Sequence, residues 1–233
     1  MGNPKRLPSD PFCGKLLALL ASLFGLTAHA CAAGGHHAVE DAALLAPGQC
    51  QVETWLERES GERRRRLAHV GPACRVGPVE LGLDLNREHT KGAGNVAEMS
   101  PQIKWARQLS DAWAFGVVLS TTWQDTEPHR AGSSLVVPLT WQPAAAMLIH
   151  VNIGRDFRRG ERDSNRAGAA VEWAASSRWS VVAERFREAD ADYWRAGARY
   201  ALNPMVSLDL SRTRGLREAG AWWTLGVNWE FDR

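Results

Sequence analysis

The chain ends in the stretch Trp222-Trp-Thr-Leu-Gly-Val-Asn-Trp-Glu-Phe-Asp-Arg233, in which apolar and polar residues alternate. Large apolar side chains occupy every second position from Trp223 to Phe231. Such alternation is typical of a β-strand with one apolar and one polar face. A tilted strand of about 9–11 residues is long enough to cross a bilayer, and aromatic residues mark both interfaces of transmembrane barrels. A soluble β-sandwich produces the same pattern in a half-buried strand, so the rest of the chain must distinguish the two folds.

Similar alternation recurs along the chain and predicts about twelve strands, with ten or fourteen as the alternatives. The clearest example is 113–123, where Trp113, Phe115, Val117, Leu119 and Trp123 share one face. The first two strands are the least regular. The predicted strands are 51–58, 66–74, 79–87, 102–109, 113–123, 135–141, 147–156, 167–175, 179–187, 193–202, 205–213 and 222–231.

The connections between these strands carry a second signal, because short and long ones alternate. The short ones are 76–78, 110–112, 142–144, 176–178 and 203–204. The longer, charged ones are 60–65, 88–100, 125–133, 158–166, 188–192 and 214–219. Short periplasmic turns and longer external loops are typical of outer-membrane barrels. Since an unpaired backbone group in hydrocarbon costs several kcal/mol, the sheet must also close. We therefore predict an all-β, antiparallel transmembrane β-barrel over residues 49–233.

The N-terminus has the three parts of a secretory signal peptide, which we place at residues 1–30. Basic residues precede an apolar run at 16–26, and Ala28-His-Ala30 is a cleavage pattern. Cleavage would make Cys31 the first mature residue; lipidation of Cys31 is an alternative, although Ala28 stands where lipoprotein signals usually carry Leu. Residues 31–48 are predicted to form a periplasmic segment, either a tail or a plug. No later apolar run approaches the roughly 18 residues of a membrane helix.

Charge and export together define the expected compartment and partners. Removal of Lys5, Arg6, Lys15 and Asp10 with the signal peptide cancels the formal net charge of +2. A neutral mature chain argues against a nucleic-acid-binding protein. We expect a monomer in the outer membrane of a Gram-negative bacterium. Its expected partners are outer-membrane lipid, lipopolysaccharide and the barrel-assembly machinery.

Two cysteines fall at matching ends of the first predicted hairpin. Cys50 opens its first strand and Cys74 closes its second. An antiparallel hairpin brings these ends together, and the periplasm is oxidising, so we predict a disulfide. Two reduced thiols are the alternative. A metal site would need further ligands at suitable spacing, and none follows from the sequence.

The alternation also assigns a set of polar residues to the inner face of the barrel. They can either pair across the interior or line a path for a polar solute. A barrel of about twelve strands lies between small barrels filled by side chains and larger open channels. The lumen-lining candidates are Glu80, Asp84, Lys104, Gln124, His150, Asn152, Asp156, Glu172, Arg195, Arg199, Asp209 and Glu230.

Three other motifs have residue types that are suited to catalysis, metal binding or phosphate binding. His150 and Asn152 share a face, as a catalytic dyad and its orienting residue would, but on the polar side, so we predict no catalytic residue. His36-His37 in the N-terminal segment is interpreted as incidental, and we predict neither metal nor cofactor. The basic cluster Arg63, Arg64, Arg65 and Arg66 lies in the first external loop. Arginine suits bidentate phosphate contact, so these four are lipopolysaccharide-contact candidates; a solvated loop is the alternative.

Two stretches near the start of the mature chain, and one further along, carry a family resemblance. Glu40-Asp-Ala-Ala43, Ala46-Pro-Gly-Gln-Cys-Gln-Val-Glu53 and Val79-Glu-Leu-Gly-Leu83 resemble a family of outer-membrane barrels named for the meta pathway of phenol degradation. Members of that family are treated as transporter-like. The chain departs from the usual barrel ending, since Asp232 and Arg233 follow the last aromatic residue, Phe231.

The resemblance and the strand pattern lead to one main functional hypothesis and two alternatives. The main one is a porin-like channel for passive transport of a small solute, with a hydrophobic solute as one alternative. The second is a structural or surface-interaction barrel with a closed lumen. The third, an outer-membrane lipid hydrolase, would need a nucleophile beside His150.

Overall fold

The structure is a computed structural model that describes residues 36–60, 64–216 and 220–233. Within these ranges it contains twelve strands. They are β1 (Gln49–Ser60), β2 (Arg66–Val76), β3 (Val79–Thr90), β4 (Gly94–Ser110), β5 (Trp113–Gln124), β6 (Arg130–Ala144), β7 (Met147–Arg158), β8 (Ser164–Ala174), β9 (Trp179–Glu188), β10 (Ala191–Asn203), β11 (Val206–Gly215) and β12 (Ala221–Asp232). Among the described residues, no helix is both long and apolar enough to cross a membrane.

The twelve strands form a closed antiparallel barrel, which confirms the predicted fold. Each strand pairs with its neighbours in sequence, and β1 pairs with β12 to complete the ring. The register of this closing pair runs from Gln49 opposite Asp232 to Ser60 opposite Ala221. Closure satisfies the backbone of the first and last strands, as a membrane-spanning sheet requires.

Side chains alternate between the outer and inner faces as the sequence pattern predicts. On β12, Trp223 and Leu225 are 51% and 56% exposed on the outer face, whereas Thr224 between them is fully buried inside. The same alternation recurs on the other strands, which gives the barrel an apolar outer band and a largely polar interior.

The two rims of the barrel differ. We call the rim with the connections after β2, β4, β6, β8 and β10 the lower rim, and the opposite one the upper rim. Both ends of the barrel domain lie at the lower rim, where the Arg233 amide donates to the Gly48 carbonyl at 2.9 Å.

Strands reach further toward the upper rim than predicted. β4 begins at Gly94 rather than at residue 102, and β3 continues to Thr90, so the predicted loop 88–100 is a turn of residues 91–93. The predicted loop 188–192 is likewise a turn of residues 189–190. Residues near this rim are polar on both faces, so apolar alternation disappears there while the backbone ladder continues.

The predicted disulfide between Cys50 and Cys74 is present. The two residues are register partners on β1 and β2, near the lower rim. Both side chains lie on the outer face, where Cys50 stands opposite Phe231 of β12. The bridge thus fastens the first hairpin next to the seam that closes the barrel.

Candidate functional site: the lumen and its N-terminal segment

The lumen is occupied by the segment that precedes β1. Val39, Asp41 and His36 of this segment are only 1%, 3% and 5% exposed. Its contacts reach residues of six of the twelve strands, β3, β4, β6, β7, β9 and β10. We call residues 36–45 the plug.

Glu184 of β9 is a central anchor of the plug. Its carboxylate accepts hydrogen bonds from the backbone amides of Ala38 at 3.3 Å and Val39 at 3.0 Å. A buried backbone amide without a partner is costly, and this segment has no strand beside it, so Glu184 supplies the acceptor. Arg195 of β10 lies 3.1 Å from the same carboxylate and also donates to the carbonyl of His36.

A second anchor is ionic. The Lys104 ammonium on β4 lies 2.6 Å from the Asp41 carboxylate and 3.6 Å from that of Glu40. Burial alone would raise the pKa of Asp41, but the Lys104 ammonium and the amide of Ala43 outweigh it and hold that pKa below its usual range. Asp41 is therefore a charged group inside the barrel, with Lys104 as its counter-ion.

Further polar contacts hold the plug toward the lower rim. The Ala42 amide donates to the Thr140 hydroxyl at 2.9 Å, and the Leu45 amide donates to Glu80 at 3.0 Å. The Arg75 guanidinium donates to the Leu45 carbonyl at 2.8 Å. With its amide turned to satisfy both atoms, Asn152 donates to the Glu40 carbonyl at 2.9 Å and accepts from the Glu40 amide.

One apolar contact complements these anchors. Val39 packs against Ala170 and Phe186, with Ala38 and Tyr193 beside them. On the barrel wall, Gly168 makes room for it, because a Cβ at that position would lie 2.7 Å from Cγ2 of Val39. The wall is therefore shaped to the plug at this point.

The rest of the lumen is dominated by charged groups paired across strands. Arg199 of β10 contacts Asp209 of β11 at 2.7 Å, with both side chains buried. Toward the upper rim, Arg65 bridges Glu57 and Glu88 at 2.8 and 2.6 Å. Arg166 similarly bridges Asp156 and Glu188, at 3.0 and 2.5 Å. Such pairs link neighbouring strands of the wall.

His150 lies deep in the interior and is fully buried. Its Nδ1 is 2.9 Å from the Thr140 hydroxyl, and its Nε2 is 3.9 Å from the Glu172 carboxylate. The hydroxyl beside this histidine is thus on the lumen side, where it also accepts from the plug. This geometry fits structural support of the plug, whereas a lipid hydrolase would need its nucleophile within reach of lipid.

The structure places all twelve lumen-lining candidates on the inner face. Those that touch the plug are Glu80, Lys104, Asn152 and Arg195. Those that meet other wall residues are Asp84, His150, Asp156, Glu172, Arg199 and Asp209. Gln124 and Glu230 lie half-buried near the upper and lower rims.

Several residues that shape the lumen were missing from the predicted set, above all Glu184. It has the parity of an inner-face residue, between Val182 and Phe186. Its neighbours are apolar because the plug covers them, so the simple rule of a polar inner face obscured this position. The same reasoning applies to Thr140, which follows Val136 and Pro138 on β6.

The remaining motifs are placed as follows. The rings of His36 and His37 stack 4.7 Å apart inside the barrel, and burial together with His37 lowers the pKa of His36, so its imidazole is neutral. In the described part of the chain, no group of three or more His, Cys, Asp or Glu residues is arranged to hold a metal ion. Of the basic cluster, Arg66 faces outward and Arg65 inward. Arg63 and the signal peptide lie outside the described residues.

Comparison of the fold finds porins and transporters. The structure superposes on the KdgM porin with a TM-score of 0.62 at 8% identity, covering 78% of this chain and 99% of that one. For the NanC porin the TM-score is 0.60 at 11% identity, covering 76% of this chain and 98% of that one. For the Ralstonia pickettii toluene transporter TbuX the TM-score is 0.53 at 9% identity, covering 83% of this chain and 79% of that one. At these identities the likeness shows a shared barrel fold.

Sequence comparison gives the family. No curated protein matches this sequence. The resemblance to the meta-pathway family therefore stays a prediction. Residues 21–231 match the family described as "Uncharacterised conserved protein UCP029691", and the chain belongs to that family.

Proposed function

We propose that this protein is an outer-membrane channel for a small solute, closed at rest by its own plug. The observation that carries the proposal is that the lumen is filled by a segment held through side-chain contacts, not by a further strand of the wall. Contacts of this kind can be broken without opening the sheet. Displacement of the plug would then leave a continuous path through the barrel.

The outer surface supports placement in the outer membrane. Its strands carry an apolar band between two sets of exposed aromatic residues, as transmembrane barrels do. Toward the lower rim these are Trp113, Trp141, Trp173, Trp179 and Trp229. Toward the upper rim they are Trp123, Phe157, Trp194 and Trp223. The fold is also that of proteins described as porins and as a toluene transporter.

The inner wall is shaped to the plug at two positions. A side chain at Gly168 would meet Val39, and one at Gly226 would meet His36. Nine strands each contribute a glycine to the inner face. These glycines are Gly71, Gly82, Gly116, Gly132, Gly154, Gly168, Gly197, Gly215 and Gly226. Removal of the plug would expose the wall at Gly168 and Gly226.

The inner wall is mixed: from β5 to β9 apolar side chains lie among polar ones such as Glu172 and Glu184, and charged side chains lie opposite them. This mixture defines the solute class we propose. From β5 to β9 the inner face includes Val118, Val136, Ala170, Val182 and Phe186. On the opposite side, β10, β11 and β1 present Arg195, Arg199, Asp209 and Glu57. A small solute with an apolar part and a polar group matches both sides.

A disulfide lock on the plug tests the proposal. Val39→Cys combined with Gly168→Cys joins the plug to β8, because a Cβ at position 168 would lie 2.7 Å from Cγ2 of Val39, where the sulfur of Cys at position 39 can stand instead. In planar bilayers we expect rare, brief conductance steps from the reduced variant, whose plug can still leave the lumen, and silence from the oxidised one. The single Val39→Cys variant under the same redox change controls for the native disulfide and for other thiols.

A closed-lumen structural barrel is the second candidate, favoured by the number of anchors on the plug. It predicts that the reduced double variant stays silent although the protein is folded and heat-modifiable. Solute flux into liposomes equal to that of empty vesicles, under every redox condition, would likewise overturn the channel proposal and support this candidate.

A further inference from the structure

The outer face of the barrel separates charges in an unusual way. Eight arginines on the strands point outward in the upper half of the wall, namely Arg58, Arg66, Arg87, Arg155, Arg185, Arg187, Arg212 and Arg214. In the described strands, Asp192 is the one acidic residue of outward parity. Acidic strand residues otherwise face the lumen. Arg155 and Arg187 pair with Asp163 and Asp190 of the upper connections, so the outer upper surface is cationic chiefly at the other six arginines.

The densest part of this surface lies across the seam of the barrel. In the sheet register Arg212 stands opposite Trp223, Trp223 opposite Arg58, and Arg58 opposite Arg66. Neighbouring strands are about 4.8 Å apart, so three guanidinium groups lie along one row of roughly 15 Å. We call Arg212, Trp223, Arg58 and Arg66 the arginine row.

The row lacks internal compensation for its charge. Like charges placed directly opposite on one face destabilise a sheet, yet Arg58 and Arg66 are such a pair. Among the described residues, neither has an acidic partner within ion-pair distance. Arg212 stacks over Trp223 at 5.2 Å, and its Nη1 is buried without a hydrogen-bond partner. An external anion would compensate the positive charge of all three arginines.

The height of the row identifies the kind of anion. Directly below it, two residues along the strands, the outer surface carries Leu56, Leu210 and Leu225, which are 62%, 52% and 56% exposed. At about 3.3 Å per residue, the guanidinium groups lie roughly 7 Å above this apolar level. That is where lipid headgroups begin when the leucines contact acyl chains.

We propose that the arginine row binds the phosphate groups of an anionic glycolipid in the outer leaflet, of the lipopolysaccharide type. Arg58 and Arg66 form one bidentate phosphate site, and Arg212, held by Trp223, forms a second contact on the same molecule. The inference rests on the outer-membrane placement in the proposed function, but it does not depend on an open lumen. The site takes Arg66 from the contiguous cluster at residues 63–66 and combines it with residues of three further strands, β1, β11 and β12.

The test is binding of purified full-length protein in neutral detergent to lipopolysaccharide with a bisphosphorylated lipid A. The variant is Arg58→Gln, Arg66→Gln and Arg212→Gln combined. The matched control is Arg107→Gln, because Arg107 is exposed on the outer face of β4 near the lower rim. We expect binding weakened on the order of a hundredfold by the triple change and unaltered by the control.

Two other ligands define the chemistry. Enzymatically dephosphorylated lipopolysaccharide is expected to bind the wild type as weakly as intact lipopolysaccharide binds the triple variant. Vesicles of phosphatidylglycerol are expected to bind more weakly than lipopolysaccharide. The proposal is overturned if the wild type binds dephosphorylated lipopolysaccharide or phosphatidylglycerol as tightly as intact lipopolysaccharide. It is also overturned if the triple variant binds intact lipopolysaccharide as tightly as the wild type does. A protein that inserts and conducts but does not bind contradicts this inference alone, whereas failure to insert in any bilayer contradicts the proposed function.

Discussion

Lys104 of β4 and Asp41 of the plug form an ion pair of 2.6 Å inside the barrel, between positions 63 residues apart in the chain. Both side chains are largely buried, at 13% and 4% exposure. The pair joins the plug to the wall without any backbone ladder. Loss of this pair should therefore release the plug while the barrel stays folded.

Replacement of Lys104 by Met should free the plug. Asp41 would be left as an uncompensated buried charge, a change that typically costs about 3–5 kcal/mol. We expect proteases to cleave within residues 36–45 of the variant while the barrel remains heat-modifiable. Lys91→Met, in the exposed turn between β3 and β4, is the control and should leave the plug protected. Equal protection in the Lys104 variant would contradict this role.

The plug should also loosen in acid. Because the pKa of Asp41 is lowered in the folded protein, its ion pair contributes stability above the ordinary value of 3.8. That contribution is lost as the pH falls through the lowered pKa. Cleavage by pepsin, followed from pH 5 downward, should show a step that Asp41→Asn abolishes. An identical acid profile for wild type and variant would assign the step to other groups.

The buried pair of Arg199 and Asp209 should matter for the wall rather than for the plug. Arg199→Met leaves Asp209, which is 2% exposed, without its counter-ion. We expect a loss of roughly 3–5 kcal/mol in the free energy of unfolding by urea in detergent. Adding Asp209→Leu should recover much of it, since a buried pair can be replaced by apolar residues. A double variant less stable than Arg199→Met would contradict this explanation.

The outer face of β12 provides a test of membrane contact. Leu225 is 56% exposed near the middle of the strand, so we expect it to face lipid. Leu225→Arg should lower stability in bilayers by about 1–2 kcal/mol, because the residue lies between the bilayer midplane and the headgroups. Leu225→Ala should cost much less. A tolerated arginine would mean that this level of the wall lies in water.

The disulfide should stabilise the barrel without being needed for its closure. Cys50→Ala with Cys74→Ala should lower the free energy of unfolding by about 2–4 kcal/mol. The barrel should still close, because β1 keeps its full register with β12. Urea unfolding in detergent, with wild type under reducing conditions for comparison, measures the effect. Failure of the double variant to become heat-modifiable would show that the bridge is required for assembly.

Much of the fold could be predicted because a membrane barrel imposes one simple rule on each strand. The outer face meets lipid and the inner face does not, so residues such as Leu225 and Thr224 reveal their sides directly. The rule weakens at the upper rim, where water surrounds both faces. This is why the start of β4 at Gly94 could not be read from alternation.

The lumen site was less predictable, because the plug that fills it has no periodic sequence pattern. Residues 36–45 form neither helix nor strand, and they are held by contacts with distant positions such as Glu184. The sequence alone is therefore compatible with either a tail or a plug. Sequence reasoning also grouped Arg65 with Arg66, although strand parity sends the first to Glu57 and the second outward.

The direct connection of the plug to β1 makes it an intramolecular ligand. Only the short stretch from Ala46 to Gly48 separates it from Gln49, so a released plug stays at the mouth of the barrel. Short tethers give effective concentrations in the millimolar range, so a free-peptide Kd of about 10 μM would keep roughly 99% of barrels closed. Modest intrinsic affinity is thus enough for closure, and rebinding after each release is fast and independent of protein concentration.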